Sequence, residues 1–435
     1  MKTISSFRNL ALVGLLAVAP KGAAADLSLE SAVQTALMSN RDLLAARFAV
    51  HKAEGRLRQA GLLPNPELEF NGFSDFVSST DGEGEFVVGL HQELPLTSRL
   101  SISREISRVG VAEALREVRN YERLLISRVQ ALYVRSQAAR LRAGAAGTAK
   151  FDAAKSAELA ATRLSAGQGT LAESALARVE EQRWGTMATT ASTEAETLLL
   201  DLKTALGMSA GEPLMLSESL DSVLRTLQSR ANQSRPSYRP DVELALLALD
   251  RAGAETRLAK ASAWEGVRVG IEYMQDRGVD APGGIDTGYF LGVKVSLPLP
   301  VWDQKKGEIQ ASQAAEEERA ARVRALELEV ANGIAAARRR VALLDTQWRR
   351  YGSDTQPVID GAGREMAQGF EEGRVDARDL LLVRAQSASL GVEAARIIED
   401  LALALIELEA VGGTHPAVAA PYVEEKPLHR RNKKS

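Results

Sequence analysis

Four stretches of the sequence alternate apolar and polar residues, which is the pattern of β-strands whose two faces meet different surroundings. The alternation predicts strands over 66–76 and 85–96 in the first half of the chain, and over 265–275 and 288–299 in the second half. Elsewhere, apolar residues recur with helical spacing, which predicts long amphipathic helices. Each half is therefore predicted to run as helix, strand pair, long helix, turn and return helix.

Three sequence matches recur in the same order in the two halves, about 200 residues apart. The matched segments are 42–60 with 241–259, 89–96 with 292–299, and 164–178 with 370–384. Coincidence between alanine-rich helices explains the first match but not the other two. We therefore expect an internal duplication, with a first repeat over 26–225 and a second repeat over 226–412.

The predicted helices are too long to build a core of their own. Helices over 27–62 and 240–263 precede the strand pairs, and long helices over 99–167 and 303–373 follow them. At 1.5 Å per residue, each long helix would reach roughly 100 Å if it were continuous. Such helices must pack side by side through alanine-rich stripes, which predicts a tall helical barrel.

Four strands per chain cannot close a barrel, because roughly eight strands are the fewest that enclose a packed interior. A lone four-stranded sheet in lipid would leave its edge groups without hydrogen bonds. If the strands span a membrane, several chains must share one barrel, and three chains would supply about twelve strands. The predicted fold is therefore mainly α, with a twelve-stranded transmembrane β-barrel formed by a trimer and a long α-helical barrel next to it.

The first 25 residues have the makeup of a secretory signal peptide. Lys2 and Arg8 form a basic start, an apolar run follows over 10–19, and small residues precede the expected cleavage before Asp26. No later segment has 18 consecutive apolar residues. The mature chain is therefore expected in the periplasm or in a membrane as a β-barrel. Residues 413–435 are basic and are predicted to be disordered.

The composition removes several classes of function. The chain contains no cysteine, which excludes disulfides, cysteine zinc sites and thiol nucleophiles. Its four histidines are widely spaced, so a metal site built from histidine is not expected. The net charge of −3 gives no global reason to expect nucleic-acid binding. Since no P-loop, nucleophile-elbow or dinucleotide-binding string is present, we expect neither an enzyme nor a cofactor.

The polar positions of the predicted strands share one face and carry both signs of charge. This mixture suits the lining of a wide, water-filled conduit better than it suits a selective site. The isolated His91 is accordingly interpreted as lining and not as a metal ligand. The predicted lumen residues are Glu67, Glu69, Asn71, His91, Glu93, Arg268, Glu272 and Lys294.

Four passages together resemble the TolC-type outer-membrane efflux channels, and the resemblance extends over essentially residues 26–412. The passages are LSLESAVQTALMSNRDLLAARFAV (27–50), QAGLLPNPELEF (59–70), LHQELPLTSRL (90–100) and VSLPLPVWDQKKGEIQAS (295–312). The segments QAGLLPNP and ELPL are most similar to the heavy-metal branch of the family, which exports cations or copper and silver. The chain departs from many relatives in having no cysteine to lipidate, and its basic tail fits no shared pattern.

The resemblance implies a homotrimer in the outer membrane of a Gram-negative bacterium, with its helical tunnel in the periplasm. It implies a passive exit duct of a tripartite pump, working with a periplasmic adaptor protein and an inner-membrane transporter of the RND type, and contacting outer-membrane lipid. Heavy-metal cations are the expected cargo. Two alternatives stay open: a channel for organic compounds or for type I protein secretion, and a secreted coiled-coil scaffold without a pore.

The resemblance also implies that the turns near residues 167 and 373 are the tunnel tips, which contact the adaptor and close the channel. The spacings Gly167 to Glu173 and Gly373 to Asp379 match the family's tip pattern, although Leu382 stands where relatives often have a second acid. Asp376 and Glu372 are the candidate substitutes. Arg374 and Arg378 are expected to pair with these acids. The alternative is an ordinary turn, with an acidic residue favourable to the dipole of the following helix.

Overall fold

The computed structural model describes residues 25–74, 83–233, 239–264, 266–280, 284–372 and 374–413. Most of the predicted signal segment 1–25 and of the predicted tail 413–435 lies outside the described residues.

Most of the described chain is helical. The helices are α1 (Leu29–Ser39), α2 (Arg41–Gln59), α3 (Arg99–Ser165), α4 (Leu171–Leu206), α5 (Leu220–Gln233), α6 (Pro240–Ala261), α7 (Lys306–Arg350), α8 (Gln356–Glu371) and α9 (Ala377–Gly412). The strands are β1 (Ala25–Leu27), β2 (Glu67–Ser74), β3 (Gly84–Leu94), β4 (Leu214–Leu216), β5 (Val267–Asp280) and β6 (Gly284–Ser296).

The single helix predicted over 27–62 is wrong, because the chain breaks at Asn40. The backbone of Asn40 is extended, with φ −66° and ψ 122°, and its Oδ1 accepts the amide of Leu43 at 2.9 Å. This side chain therefore caps the start of α2. Its Nδ2 also donates to the carbonyl of Ala205 at 3.0 Å, near the end of α4. A contact distant in sequence thus fixes the break.

Helix α3 is continuous for 67 residues and packs against α2, α4, α6 and α9. Along its outer half, the buried positions are mostly alanine. They are Ala138, Ala139, Ala146, Ala149, Ala153 and Ala157. Small side chains at these positions allow neighbouring helices to approach closely over a narrow seam.

The long helix predicted over 303–373 begins at Lys306 and is interrupted. Between α7 and α8 lies a π turn, Tyr351–Thr355, in which the amide of Gln356 donates to the carbonyl of Tyr351, five residues back. Pro357 follows directly and has no amide hydrogen to donate to the preceding turn. The wider turn accommodates this loss, as π turns within α-helices commonly do.

The main apolar core lies midway along the long helices, where α1 and α5 pack against α3, α4 and α9. Tyr133 is fully buried in this core, and its hydroxyl donates to the carbonyl of Leu27 at 2.9 Å. Burial raises the pKa of this phenol. Beside it, β1 pairs in parallel with β4, joining two segments far apart in sequence. The sequence pattern did not predict β1 or β4, because strands of three residues carry no detectable alternation. Helix α5 was also not predicted.

The four longer strands form one antiparallel sheet in the order β2-β3-β5-β6. The central pairing of β3 with β5 joins the two halves of the chain and runs from Gly84↔Arg277 to Leu94↔Val267. None of the described helices is both long enough and apolar enough to cross a membrane.

A half-buried cluster of charges holds the end of α9 to the start of α6. Arg123 donates to the carbonyl of Ala410 at 2.8 Å, and Arg239 donates to both carboxylate oxygens of Asp241. Burial acts to raise the pKa of Asp241, but hydrogen bonds from Arg239 and the charges of Arg239 and Arg123 outweigh it, so the pKa is lowered. The two arginines therefore supply donors and positive charge where the helix exposes its last carbonyls.

Glu409 lies in the last turns of α9 and is 1% exposed. Burial raises the pKa of its carboxyl to about 7, although the positive charge of Arg230 acts in the opposite direction. Below pH 4.5 the carboxyl is protonated in the folded and unfolded states alike, so burial costs little. As the pH rises to about 7, the unfolded state loses its proton first, and the folded state loses relative stability.

We therefore expect Glu409→Gln to stabilise the protein at pH 8 by at most about 3 kcal/mol, and to have little effect near pH 4.5. Thermal unfolding at the two pH values measures the difference. Glu407→Gln is the matched control, because Glu407 is exposed and pairs with Arg340 at 2.9 Å. An equal shift in the melting temperature of both variants at pH 8 would contradict this assignment.

Candidate functional site

The strand register places the whole predicted lumen set on one face of the sheet. Glu67 lies opposite His91, Glu93 lies opposite Arg268, and the remaining members fall on the same side by the two-residue alternation. This charged region occupies the end of the sheet nearest the helices. The lumen-lining role of this face stays a prediction.

His91 lies at the centre of the charged region and is 3% exposed. Its Nε2 is 3.1 Å from Glu69 Oε2 and 3.5 Å from Glu272 Oε1, although neither contact has the direction of a hydrogen bond. Gly89 and Gly270 leave the space that the ring fills, since a Cβ on Gly270 would lie 2.1 Å from Nδ1. The imidazole therefore fits into the wall of the sheet and does not project from it.

Lys294 completes this network, with its Nζ 2.8 Å from Glu272 Oε1. Carboxylates and basic groups from four strands thus alternate across the face, and their opposite charges compensate one another. No group of three or more acidic, histidine or cysteine side chains suited to a metal ion occurs in the described part of the chain.

The same face is not polar throughout, which the sequence pattern missed. Farther from the helices, the next residues on this face are paired across the four strands. They are Asn71, Val87, Met274 and Phe290. Val87 lies in the run Phe86-Val87-Val88, where three successive apolar residues hide the alternation. The charged region therefore borders an apolar band.

The opposite face of the sheet is apolar and exposed. Its exposed residues include Leu68, Phe70, Phe86, Leu90, Ile271, Tyr273, Tyr289, Leu291, Val293 and Val295. Leu291 and Val293 are each 79% exposed. A contiguous apolar surface of this kind is unusual on a soluble monomer and marks a face that meets lipid or another protein.

The first hairpin tip joins α3 to α4. Gly167 adopts φ +73°, which favours glycine, and the amide of Gln168 donates to the carbonyl of Arg163 at 2.9 Å to close the end of α3. Thr170 and Glu173 then form a capping box at the start of α4, with both bonds at 3.2 Å. The predicted tip acid Glu173 therefore has a structural role in its own helix.

The second hairpin tip joins α8 to α9. Gly373 lies outside the described residues, and α9 begins at Ala377 with Asp376 at its N-cap position. Of the acids predicted to pair with Arg374, the one that it bonds is Glu372 within its own turn, with Nε at 2.6 Å from Oε2, and not Asp376 or Asp379. Asp379 is exposed in the first turn of α9.

Ion pairs instead connect one hairpin to the other. Arg163 at the end of α3 donates to Asp376 at 2.7 Å, and Arg378 on α9 donates to Glu173 at 3.3 Å. The acids of the two tips are therefore bound by arginines of the opposite hairpin. Arg163 was not predicted as a partner, because the pairing depends on how the two hairpins lie side by side.

A groove of about 400 Å³ runs beneath these pairs between α3, α4 and α9. Trp184 lines it and packs on Ala149 and Ala153, and Leu176 and Leu382 add apolar surface. Leu176 is 61% exposed and Leu382 is 59% exposed. The tip thus combines two exposed ion pairs with an apolar groove beside them.

A sheet with one exposed apolar face, joined to helical hairpins of this length, is the fold of solved outer-membrane channel structures. Residues 32–208 match the family model described as "Outer membrane efflux protein". This match covers 177 of the 435 residues, and over that segment the chain is similar to the outer-membrane efflux proteins. The matched family and the solved structures that share this fold are channel proteins.

Comparison with individual proteins agrees with this family. The cobalt-zinc-cadmium resistance protein CzcC of Cupriavidus metallidurans is 22% identical over 391 residues, which cover 87% of this chain and 89% of CzcC. The open-state structure of the MtrE channel of Neisseria gonorrhoeae superposes with a TM-score of 0.70 at 19% identity, covering 89% of each chain. The structure of CusC has a TM-score of 0.68 at 17% identity, covering 90% of this chain and 93% of CusC.

The cross-hairpin pairs generate a prediction about channel closure. The double variant Arg163→Ser/Arg378→Ser removes both cations, so we expect the tips to separate more readily and single-channel conductance in planar bilayers to rise severalfold. Each pair is exposed and therefore worth only about 0–1 kcal/mol, so assembly should be unaffected. Arg374→Ser is the matched control, because Arg374 bonds only within its own turn among the contacts described. Unchanged conductance in the double variant would show that these pairs do not hold the channel closed.

Proposed function

We propose that this chain is the outer-membrane duct of a tripartite export pump for heavy-metal cations, and that it works as a homotrimer. Three four-stranded sheets would close one barrel of twelve strands, and the hairpins of the three chains would form the periplasmic tunnel.

The sheet carries this proposal. Among the described residues, β2 and β6 each pair with one neighbour, so both edges of the sheet offer backbone groups to a further strand. A membrane leaves no water to satisfy such edges, which favours closure with other copies of the chain. One face is apolar and exposed and the other is charged, as expected of lipid-facing and lumen-facing sides.

In the proposed duct, the polar face is the lumen lining. Acidic and basic groups are already paired across its strands, as in the bond between Lys294 and Glu272. A lining of this kind passes hydrated ions without retaining them. Selection and energy would therefore come from the inner-membrane transporter of the RND type and from the periplasmic adaptor.

The tip is the proposed contact for the adaptor. Its apolar groove suits a helical partner, and the arginine–carboxylate pairs across the two hairpins would close the passage at rest. Asp379 is exposed beside them, and threefold repetition would place several carboxylates near the axis, where they favour cations.

The cargo is proposed from the named relative, a cobalt-zinc-cadmium resistance protein. We expect deletion of the gene from its host to lower tolerance of Co²⁺, Zn²⁺ and Cd²⁺ severalfold, and expression of the parent gene to restore it. Growth in graded metal concentrations measures this, with lipophilic organic cations tested in parallel. Loss of tolerance to the organic cations alone would instead indicate a channel for organic compounds.

The barrel can be tested on one strand, because neighbouring residues of β6 point to opposite faces. Leu291→Arg/Val293→Arg places charge on the apolar face, at a cost of up to about 2–4 kcal/mol for each arginine in the middle of a bilayer. We expect this variant to be absent from the outer membrane. Lys294→Ser changes the polar face and should still give a trimer by native mass measurement in detergent. A parent chain that is monomeric in detergent would contradict both barrel and tunnel.

A further inference from the structure

Arg277 is the one charged residue among the described positions on the apolar face of the four-stranded sheet. The strand register places it on β5 between Gly84 of β3 and Thr287 of β6. These paired residues lie at the end of the sheet distant from the helices, which is termed the outer end below. The Arg277 side chain is exposed and forms no ion pair or side-chain hydrogen bond with another described residue.

The acids of the outer end lie on the opposite face. Glu85, Asp276 and Asp286 are each a direct chain neighbour of a residue in the pairing that contains Arg277. Because neighbouring residues of a strand point to opposite faces, these three carboxylates point to the polar face. The outer end thus separates its charges, with acids on the polar face and an arginine without a counter-charge on the apolar face.

The depth of Arg277 decides what an arginine on this face costs. In the middle of a bilayer, a lipid-facing arginine costs about 2–4 kcal/mol, and this falls to about 0–1 kcal/mol near the interface. Arginine also lays its apolar stem along a hydrophobic surface while its guanidinium reaches polar surroundings. A position at the membrane boundary is therefore tolerated.

The length of β5 places Arg277 at that boundary. Val267 begins the strand, and Arg277 follows ten residues later. At about 3.3 Å per residue, the two are roughly 33 Å apart along the strand. For a strand tilted by about 40°, this is roughly 25 Å along the membrane normal, which is the height of the apolar band of an outer-membrane barrel.

Aromatic side chains mark the same boundary. Tyr273 and Tyr289 stack on the apolar face with ring centroids 6.4 Å apart, and Tyr289 is 64% exposed. They occupy the two successive strand pairings that precede Arg277 toward the outer end. Tyrosine collects at membrane–water interfaces because its ring is apolar and its hydroxyl is polar. The guanidinium of Arg277 therefore lies just beyond an aromatic belt.

Lipid, and not a second copy of the chain, is the occupant that this position favours. The strand order is β2-β3-β5-β6, so β5 lies inside the sheet, whereas another copy would pair at β2 or β6. Among the described residues of the apolar face, no carboxylate competes for Arg277. Its complement is therefore an anionic group at the level of the lipid headgroups.

We infer that Arg277 and Thr287 bind the phosphate headgroup of a glycolipid in the outer leaflet of the membrane. The inference rests on the proposed function, because a barrel with periplasmic helices directs the outer end to that leaflet. The guanidinium fork donates two parallel hydrogen bonds to phosphate oxygens. The hydroxyl of the paired Thr287 supplies a further donor, and the tyrosines contact the apolar part of the lipid.

Native mass spectrometry of the full chain in detergent counts the copies of the chain and the lipids that it retains. The probes are lipid A with its phosphates and lipid A from which the phosphates have been removed, at equal concentration. We expect the parent chain to retain the phosphorylated form about two- to fivefold better, as for one exposed charge pair. Excess inorganic phosphate should leave this preference unchanged.

Variants of Arg277 then assign the site. Arg277→Ser should abolish the preference for phosphorylated lipid A. Arg277→Lys should keep part of it, because lysine retains the charge but not the fork. Arg268→Ser is the matched control, because Arg268 lies on the same strand but on the polar face, 3.8 Å from Glu67. We expect this control to retain both lipids as the parent does.

The comparison of the two lipids on the parent chain needs no variant to fold. Equal retention of both forms would overturn the inference, because the acyl chains alone would then explain binding. A preference that persists in Arg277→Ser, or that inorganic phosphate removes, would also overturn it. A trimer without the preference rejects only the headgroup site, whereas a monomeric parent chain rejects the proposed barrel.

Discussion

Close contact between helices through small side chains is the interaction on which the rest of this structure depends. A helix of 67 residues has no core of its own, and the outer half of α3 is held by a narrow seam of buried alanines, while α3 contacts α4 and α9 along its length. Such a seam buries little apolar area per turn. The main apolar core is therefore concentrated where α1 and α5 add to the helices, and the tips far from it are held by few groups.

The distribution of charge follows from this uneven packing. Near the core, charged groups are half-buried or buried and satisfy backbone carbonyls or several partners at once, as Arg123 and Arg142 do. At the tip, the pairs are exposed, and each joins one arginine to one carboxylate. A buried pair cannot be broken without leaving an unpaired charge, whereas an exposed pair exchanges its partner for water at little cost. The chain thus has permanent electrostatic contacts at its middle and exchangeable ones at its end.

The sequence was informative where a short-range pattern determines the structure. The two-residue alternation predicted the charged face of the sheet, and Gly167 with Glu173 predicted a turn, because a capping box is a local device. Features that depend on contacts distant in sequence were not predictable. Asn40 breaks a helical segment because Ala205 accepts its amide, and Arg163 finds Asp376 only once two hairpins lie together. The π turn also follows from local geometry that helical periodicity does not report.

The pairing of β3 with β5 has a consequence for the order in which the protein folds. These strands become neighbours only after the intervening helices α3, α4, α5 and α6 have been made. Contacts of such long sequence separation form slowly, because a long loop must be closed before they give any stability. The hairpin of α3 and α4 needs no such closure and can form from adjacent chain. The sheet therefore becomes complete late, and until then its apolar strands need protection from premature association with one another.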